Sequence, residues 1–207
     1  MPLCYLCGAD ANTRDHVPPR AFFPALPANI ITVPACIACN GLASKDEEYM
    51  RTTTAGLAYM HSEAARQIWD EAVRRSFARR PEGLKRRLAG DIVPVQIVDA
   101  EGQVLGELPG LQVDGARADR VIRKIFRGIY FFEKEEPLAD PDLIFFRGAD
   151  IPPNIINTQG WHEHDMGEVF RWRSVHEADA SAIWIEFYRT DWWFALTGDS
   201  ARNYGRR

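Results

Sequence analysis

The amino-acid sequence predicts an α+β protein in three parts. All four cysteines lie before residue 40, in a segment rich in proline and asparagine with little apolar periodicity. A stretch with helical spacing follows, and the last part of the chain alternates apolar and polar residues as antiparallel strands do. We therefore divide the chain into a small N-terminal module (1–50), a helical connector (51–90) and a C-terminal antiparallel-sheet α+β domain (91–207).

The bulk composition restricts the class of protein. The chain has 207 residues with 46% apolar and 26% charged side chains, which is typical of globular proteins. A net charge of −4 argues against a protein that coats nucleic acid through bulk electrostatics. The N-terminus, MPLCYLCGAD, has neither the basic region nor the apolar run of a secretory signal. We expect a cytoplasmic protein without a membrane partner, whose thiols stay reduced.

The four cysteines form two Cys-x2-Cys pairs, Cys4 with Cys7 and Cys36 with Cys39, separated by 28 residues. Each pair can occupy one side of a tetrahedral zinc ion, and soft thiolates favour zinc over magnesium or calcium. Two alternatives are disulfide bonds, which a reducing compartment disfavours, and a redox dithiol, which needs only one pair. We predict a structural zinc ion with no open coordination position. Its binding free energy, about 10 kcal/mol or more, would fold a segment with little apolar core.

The connector begins at a predicted capping box, with Ser44 as the N-cap and Glu47 three residues later. Helical spacing then continues to about Arg80, before Pro81 and Gly83. The residues from Thr52 to Gly56 are poor helix formers, so the spacing allows either one bent helix or two.

The C-terminal part contains six predicted strands and one long helix. Two strands flank the turn at 99–102, and a helix from Ala118 to about Phe132 has its apolar residues on one side. A short strand is predicted at 143–146, and residues 148–167 are predicted to be irregular. Three antiparallel strands follow within EVFRWRSV, AIWIEFY and WWFAL, the last two as a hairpin. Trp161–Asp165, with two histidines, is interpreted as a polar loop rather than a second metal cluster.

The segment between the cysteine pairs carries the titratable groups. Asp15 and His16 stand side by side, and Pro18 and Pro19 restrict the chain after them. Asn40 directly follows the last cysteine. A carboxylate and an amide oxygen are hard ligands that suit a divalent ion, and an imidazole titrates near neutral pH, as a general base must. These groups are the ones that metal-assisted phosphodiester hydrolysis needs.

Taken in order, the CxxC pair, DHVPP, Asn29, VPACxxCN and Lys45 resemble the HNH endonucleases with a zinc-knuckle-supported ββα-metal site. The resemblance covers about the first 50 residues, a quarter of the chain. It implies that Asp15 and Asn40 bind a catalytic Mg²⁺ or Mn²⁺ and that His16 is the general base. It also implies that Asn29 orients His16, although Asn29 stands seven residues before Cys36, slightly further than the family pattern.

The sequence-based hypothesis is therefore a metal-dependent HNH-type endonuclease that acts on DNA rather than RNA. Arg14 and Arg20 flank the predicted site and are candidates for holding the substrate phosphate, although solvated loop arginines are common. The alternative is a non-catalytic zinc module that binds nucleic acid or a protein partner; a thiol redox protein is a third hypothesis. The sequence leaves a homo-oligomer open.

Overall fold

The computed structural model describes residues 2–79, 90, 92–139, 142–148 and 160–204. Over these residues the protein is α+β, with antiparallel sheets that include one of five strands, which confirms the predicted α+β class with an antiparallel sheet. In the described part of the chain, every helix is too short or too polar to cross a membrane.

The N-terminal segment forms two strands followed by a helix. Strand β1 (Thr13–Val17) pairs antiparallel with β2 (Ile31–Ala35), and helix α1 (Ile37–Leu42) follows directly. A short 3₁₀ turn (Arg20–Phe22) lies in the connection between the strands. Burial alternates along both strands, because successive side chains point to opposite faces. The hairpin therefore has a buried inner face and an open outer face.

The connector contains separate helices. Helix α2 (Ser44–Ala58) ends before Ser62, whose hydroxyl caps α3 (Glu63–Ile68); a π-helical turn (Trp69–Val73) leads into α4 (Arg74–Arg79). The three threonines of α2 are buried, and their hydroxyls donate to carbonyls three or four residues earlier, so the helix continues through them.

The predicted capping box is wrong. Ala43 is the N-cap residue of α2, without a side-chain cap, and the Ser44 hydroxyl donates back to the carbonyl of Gly41. Glu47 instead forms an ion pair with Lys124 on a distant helix. The pattern misled because α1 ends only one residue before α2, so Ser44 has a carbonyl of the preceding helix as a closer partner.

A hairpin and a long helix follow, as predicted. Strands β3 (Ile92–Val98) and β4 (Val104–Leu111) pair with each other around the turn at 99–102. Helix α5 (Gly115–Lys134) begins at Asp114, whose carboxylate accepts from the amide of Arg117, and ends at Glu135 in the left-handed region. Its buried side contains Val121, Ile122, Ile125, Phe126 and Ile129.

The five-stranded sheet has the order β5-β9-β8-β7-β6, and its strands run from Leu143 to Gly198. They are β5 (Leu143–Arg147), β6 (His162–Asp165), β7 (Phe170–His176), β8 (Ala180–Phe187) and β9 (Asp191–Gly198), and α6 (Asp199–Tyr204) follows. The predicted β5, β7, β8 and β9 are confirmed. The prediction that residues 148–167 are irregular is wrong at β6. The polar residues of β6 pair with β7, and His164 stacks on Trp172. Residues 149–159 of that segment lie outside the described part.

One apolar core joins the hairpin, α5 and the five-stranded sheet. Val17 on the inner face of the hairpin packs against α5 at Gly128, where an added Cβ would lie 2.5 Å from a methyl carbon of Val17. The absence of a side chain at Gly128 thus allows β1 to approach the helix closely. Helix α5 is consequently the element that fixes the inner face of the hairpin. The division into three parts stays a prediction.

Candidate functional site

The four cysteines form a cluster that suits a single metal ion. Their sulfur atoms all lie within 4.8 Å of one another, and Cys7 Sγ is 3.8 Å from Cys36 Sγ. A tetrahedral zinc ion with Zn–S bonds of about 2.3 Å holds its sulfurs about 3.8 Å apart. Cys36 is also the N-cap of α1, and its sulfur accepts from the amide of Cys39 at 3.4 Å. All four thiols are free of disulfides, so the cluster is compatible with a zinc site.

The thiols differ in acidity. Burial opposes ionisation of Cys4, but backbone amides of Cys36, Cys7 and Leu6 donate to its sulfur and lower its pKa to about 7. Burial and the neighbouring thiols raise the pKa of Cys39. Because negative charge accumulates as neighbouring thiols ionise, the last proton is the hardest to remove without a cation. A metal ion would supply the charge that lets all four bind as thiolates.

Asp15 lies on the buried inner face of the hairpin and is 5% exposed. Its Oδ2 accepts a hydrogen bond from the Tyr5 hydroxyl at 2.8 Å and lies 2.8 Å from Lys124 Nζ. Lys124 Nζ is also 2.5 Å from Glu47 Oε1. Burial and then the Asp15 carboxylate raise the pKa of Tyr5, so the phenol stays a hydrogen-bond donor. The carboxylate is therefore fixed through one oxygen.

Lys124 carries the charge that balances this carboxylate. The residue is 6% exposed on α5, and burial alone would lower its pKa. The Asp15 and Glu47 carboxylates outweigh burial and raise the pKa of the ammonium above its ordinary value. Lys124 is thus charged at neutral pH. Its ammonium therefore bridges the carboxylates of Asp15 and Glu47.

His16 lies on the outer face of β1, opposite to Asp15. Consecutive residues of a strand point to opposite faces, and His16 is half-buried beside Thr32 across the hairpin. Arg14 shares this face and is exposed; its guanidinium donates to Thr32 Oγ1 at 2.8 Å and to the carbonyl of Thr32 at 2.6 Å. The imidazole is consequently reached from the open side of the hairpin rather than from the core.

Asn40 brings α1 against the edge of β1. Its amide nitrogen donates to the carbonyl of Arg14 at 3.1 Å and approaches Thr13 Oγ1 at 3.4 Å. Thr13 and Asp15 share the inner face of the strand, so Asn40 stands at the Asp15 side of β1. The backbone N–H of Asn40 donates to the carbonyl of Cys36. The cysteine cluster therefore sets the position of Asn40.

Asn29 lies elsewhere. Its amide donates to the carbonyl of Asp165 on β6 at 2.9 Å, which links the loop before β2 to the five-stranded sheet. Arg20 is exposed at the start of the 3₁₀ turn. The structure thus brings Asp15 and Asn40 to the inner side and edge of β1 and His16 with Arg14 to the outer face. It places Asn29 against the sheet.

Sequence patterns did not predict Tyr5 and Lys124 as partners of Asp15, nor Glu47 as a partner of Lys124. Lys124 had a visible signal, because it lies three residues after Val121 and directly before Ile125, on the apolar side of the predicted helix. A lysine at a core-facing position needs a buried partner. Glu47 was assigned to capping instead.

Comparison with protein-family models, curated proteins and solved structures gives no significant match to this chain.

Proposed function

We propose that the protein is a metal-dependent HNH-type endonuclease that hydrolyses phosphodiester bonds in DNA. The observation that carries this proposal is the return of Asn40 from the cysteine-anchored α1 to the edge of β1, beside Asp15. The local order of β1, β2 and α1 supports it, because a ββα-metal site consists of two strands and a helix. The proposed zinc ion in the cysteine cluster has a structural role and holds this frame.

In this proposal each side chain has one task. Asp15 and Asn40 provide oxygen ligands for Mg²⁺ or Mn²⁺, and these hard donors fit such ions. When bound, a divalent ion of this kind acts as a Lewis acid toward phosphate oxygens. His16 accepts the proton of the attacking water. Arg14, exposed on the same face as His16, neutralises charge on the substrate backbone.

The opposite faces of Asp15 and His16 restrict how DNA can bind. Strand β1 pairs with β2 along one edge, and Asn40 approaches the other edge at Arg14. A phosphate at this outer edge is reached from the outer face by His16 and from the inner side by Asp15 and Asn40. The proposal therefore requires the scissile phosphate to lie along the edge of β1. A phosphate held on either face alone would meet only half of the site.

The test is nicking of supercoiled DNA by zinc-loaded protein with Mg²⁺ or Mn²⁺. We expect His16→Ala to lower kcat by about 10²–10⁴-fold, the usual contribution of a general base, while zinc content and DNA affinity stay unchanged. His61→Ala, an exposed histidine beyond the end of α2, is the matched control and should cut at the wild-type rate.

One observation favours a second candidate, a non-catalytic zinc module that binds nucleic acid. Asp15 is buried against Lys124, and a carboxylate with a purely structural role also has such a partner. This candidate predicts DNA binding that survives Asp15→Ala and His16→Ala but is lost in Cys36→Ser. Wild-type protein that binds DNA and cuts none under either metal would decide for it.

A further inference from the structure

Lys124 occupies the gap between the carboxylates of Asp15 and Glu47. Its Nζ is 2.8 Å from Asp15 Oδ2 and 2.5 Å from Glu47 Oε1. A buried gap between two carboxylates attracts cations strongly, because the interior screens charge poorly. Without Lys124, a divalent ion would be drawn between Asp15 and Glu47 instead of to the Asn40 side of Asp15.

The position of Lys124 is fixed by packing on both sides. Its neighbours Val121 and Ile125 are fully buried on α5, and one turn later Gly128 contacts Val17 of β1. The distance between α5 and Asp15 is therefore set by apolar contacts, and the ammonium has little freedom to move away. Burying a charge costs free energy, and the attraction within a buried ion pair often does no more than offset that cost. A buried lysine here is thus weakly explained by stability alone.

We propose that Lys124 is a positioning residue that keeps divalent ions out of the gap between Asp15 and Glu47. This inference rests on the proposed function. The ammonium contacts Oδ2 of Asp15, repels a second cation from that oxygen and leaves Oδ1 as the ligand atom. The ion is then restricted to the side of Asn40, at the edge of β1 where His16 can reach the same phosphate. Helix α5, outside the segment with the HNH-like motifs, thereby completes the site.

The first measurement is Mn²⁺ binding to zinc-loaded protein without DNA. The electron paramagnetic resonance signal of free Mn²⁺ reports how much of the ion is bound. In Lys124→Met one positive charge leaves a buried gap between two negative ones, so we expect Mn²⁺ to bind at least about tenfold more tightly. In Glu47→Gln one negative charge is lost, and we expect weaker binding. Unchanged or weaker Mn²⁺ binding in Lys124→Met would overturn the inference.

The second measurement is kcat for DNA nicking at saturating Mn²⁺. We expect Lys124→Met to lower kcat by about 10- to 100-fold, as is typical when the partner of a metal ligand is removed. Tighter metal binding with slower turnover separates positioning from a loss of folding, which would weaken both. Arg117→Met is the matched control, because it removes an ion pair between the same two helices, with Asp46, and leaves Asp15 untouched. Its Mn²⁺ affinity and kcat should stay within about twofold of wild type.

Two further comparisons keep the outcomes separate. If Lys124→Met fails to fold or to bind zinc, Lys124→Gln, which keeps a hydrogen-bond donor without the charge, is expected to show the same tighter Mn²⁺ binding. Wild-type protein that cuts no DNA overturns the proposed function, while the Mn²⁺ affinities still decide whether Lys124 excludes cations from the gap. Cleavage that depends on His16, together with wild-type Mn²⁺ binding in Lys124→Met, refutes the role of Lys124 alone.

Discussion

At the scale of single residues, charged side chains of α5 hold the start of α2 in place. Asp46 accepts from Arg117 Nε and from Arg120 Nε, each at 2.7 Å, and Lys124 pairs with Glu47 one residue later. Arg117 also lies over the ring of Tyr49 at 4.2 Å. Of these side chains, Lys124 is the one that also contacts Asp15. The environment of the proposed catalytic carboxylate therefore depends on a side chain 109 residues away in the chain.

Asp46→Asn is expected to lose about 1 kcal/mol of stability at pH 7, because charge-assisted hydrogen bonds become neutral ones. Hydrogen bonds from Arg120, and then Arg117, hold the pKa of Asp46 below its usual value against the effect of burial. A carboxyl group whose pKa is lowered by folding stabilises the protein above its unfolded pKa, and this contribution disappears as the pH falls through the folded pKa. The difference between wild type and Asp46→Asn should therefore be complete at pH 7 and shrink below about pH 3.8.

Urea unfolding of both proteins across this pH range measures the difference, and loss of a metal ion from the cysteine cluster in acid would affect both alike. Asp70→Asn, at an exposed position in the connector, is the control and should match wild type throughout. A difference that persists unchanged at pH 2.5 would contradict the assigned role of Asp46.

The residues of the candidate site differ in how far the sequence could predict them. Both cysteine pairs were predictable, because a Cys-x2-Cys spacing fixes the geometry of two ligands locally. The opposite faces of Asp15 and His16 follow from a strand, but no strand was assigned there, since TRDHV has only one apolar residue. The pairing of Asp15 with Lys124 joins residues 109 positions apart, and no local pattern contains such a contact.

At the scale of elements, the last turn of α5 is joined to β7 through one carboxylate. Glu133 accepts hydrogen bonds from Trp172 Nε1 at 3.0 Å and Ser174 Oγ at 2.7 Å, and it pairs with His176 Nε2 at 2.9 Å. These three partners alternate along one face of β7. The carboxylate thus fixes the end of the helix against the register of the strand.

Glu133→Gln is expected to destabilise the protein by about 1–3 kcal/mol, because an amide cannot accept all three hydrogen bonds and a buried donor is left without its partner. For a chain of this size the melting temperature should fall by roughly 2–4 °C per kcal/mol. Differential scanning calorimetry of the zinc-loaded protein measures this change. Glu136→Gln, which loses only the hydrogen bond from Tyr130 at the exposed end of the helix, is the control and should change far less. Equal effects of the two substitutions would contradict the role of Glu133.

Element prediction succeeded where burial is periodic and failed where it is not. Strands β7, β8 and β9 and helix α5 have regular apolar spacing, so their existence follows from the sequence. Strand β6 is His-Glu-His-Asp, and it is ordered by pairing with β7 and by stacking on Trp172 rather than by its own propensity. The predicted N-cap of α2 was wrong for a related reason, because a carbonyl of the preceding helix accepts the hydrogen bond of the Ser44 hydroxyl.

At the scale of the whole molecule, the N-terminal segment shares its core with the rest of the chain. Tyr5, Val17 and Val33 are buried in the same cluster as Ile122, Ile129 and Trp172. The Tyr188 hydroxyl also donates to the carbonyl of Phe22 at 2.9 Å, which joins the hairpin connection to the sheet. A metal ion in the cysteine cluster would tie the ends of the hairpin together, but it would not cover the inner face.

A fragment of residues 1–79 is therefore expected to bind one zinc ion and yet lack a cooperative unfolding transition. Without α5 and the sheet, its inner face would expose apolar side chains and leave the charge of Asp15 without Lys124. Amide dispersion in ¹H–¹⁵N NMR spectra, together with thermal unfolding, provides the measurement. The full chain is the control. A well-dispersed fragment with a sharp transition would show that the N-terminal segment folds by itself.

The contact between Val17 and Gly128 has a consequence for random mutagenesis. Position 128 carries no functional group, yet even a single methyl there would collide with the strand that bears Asp15 and His16. Substitutions at this glycine should thus emerge from a genetic screen for loss of the proposed nuclease activity alongside changes of the proposed site residues, because they displace those residues without touching them.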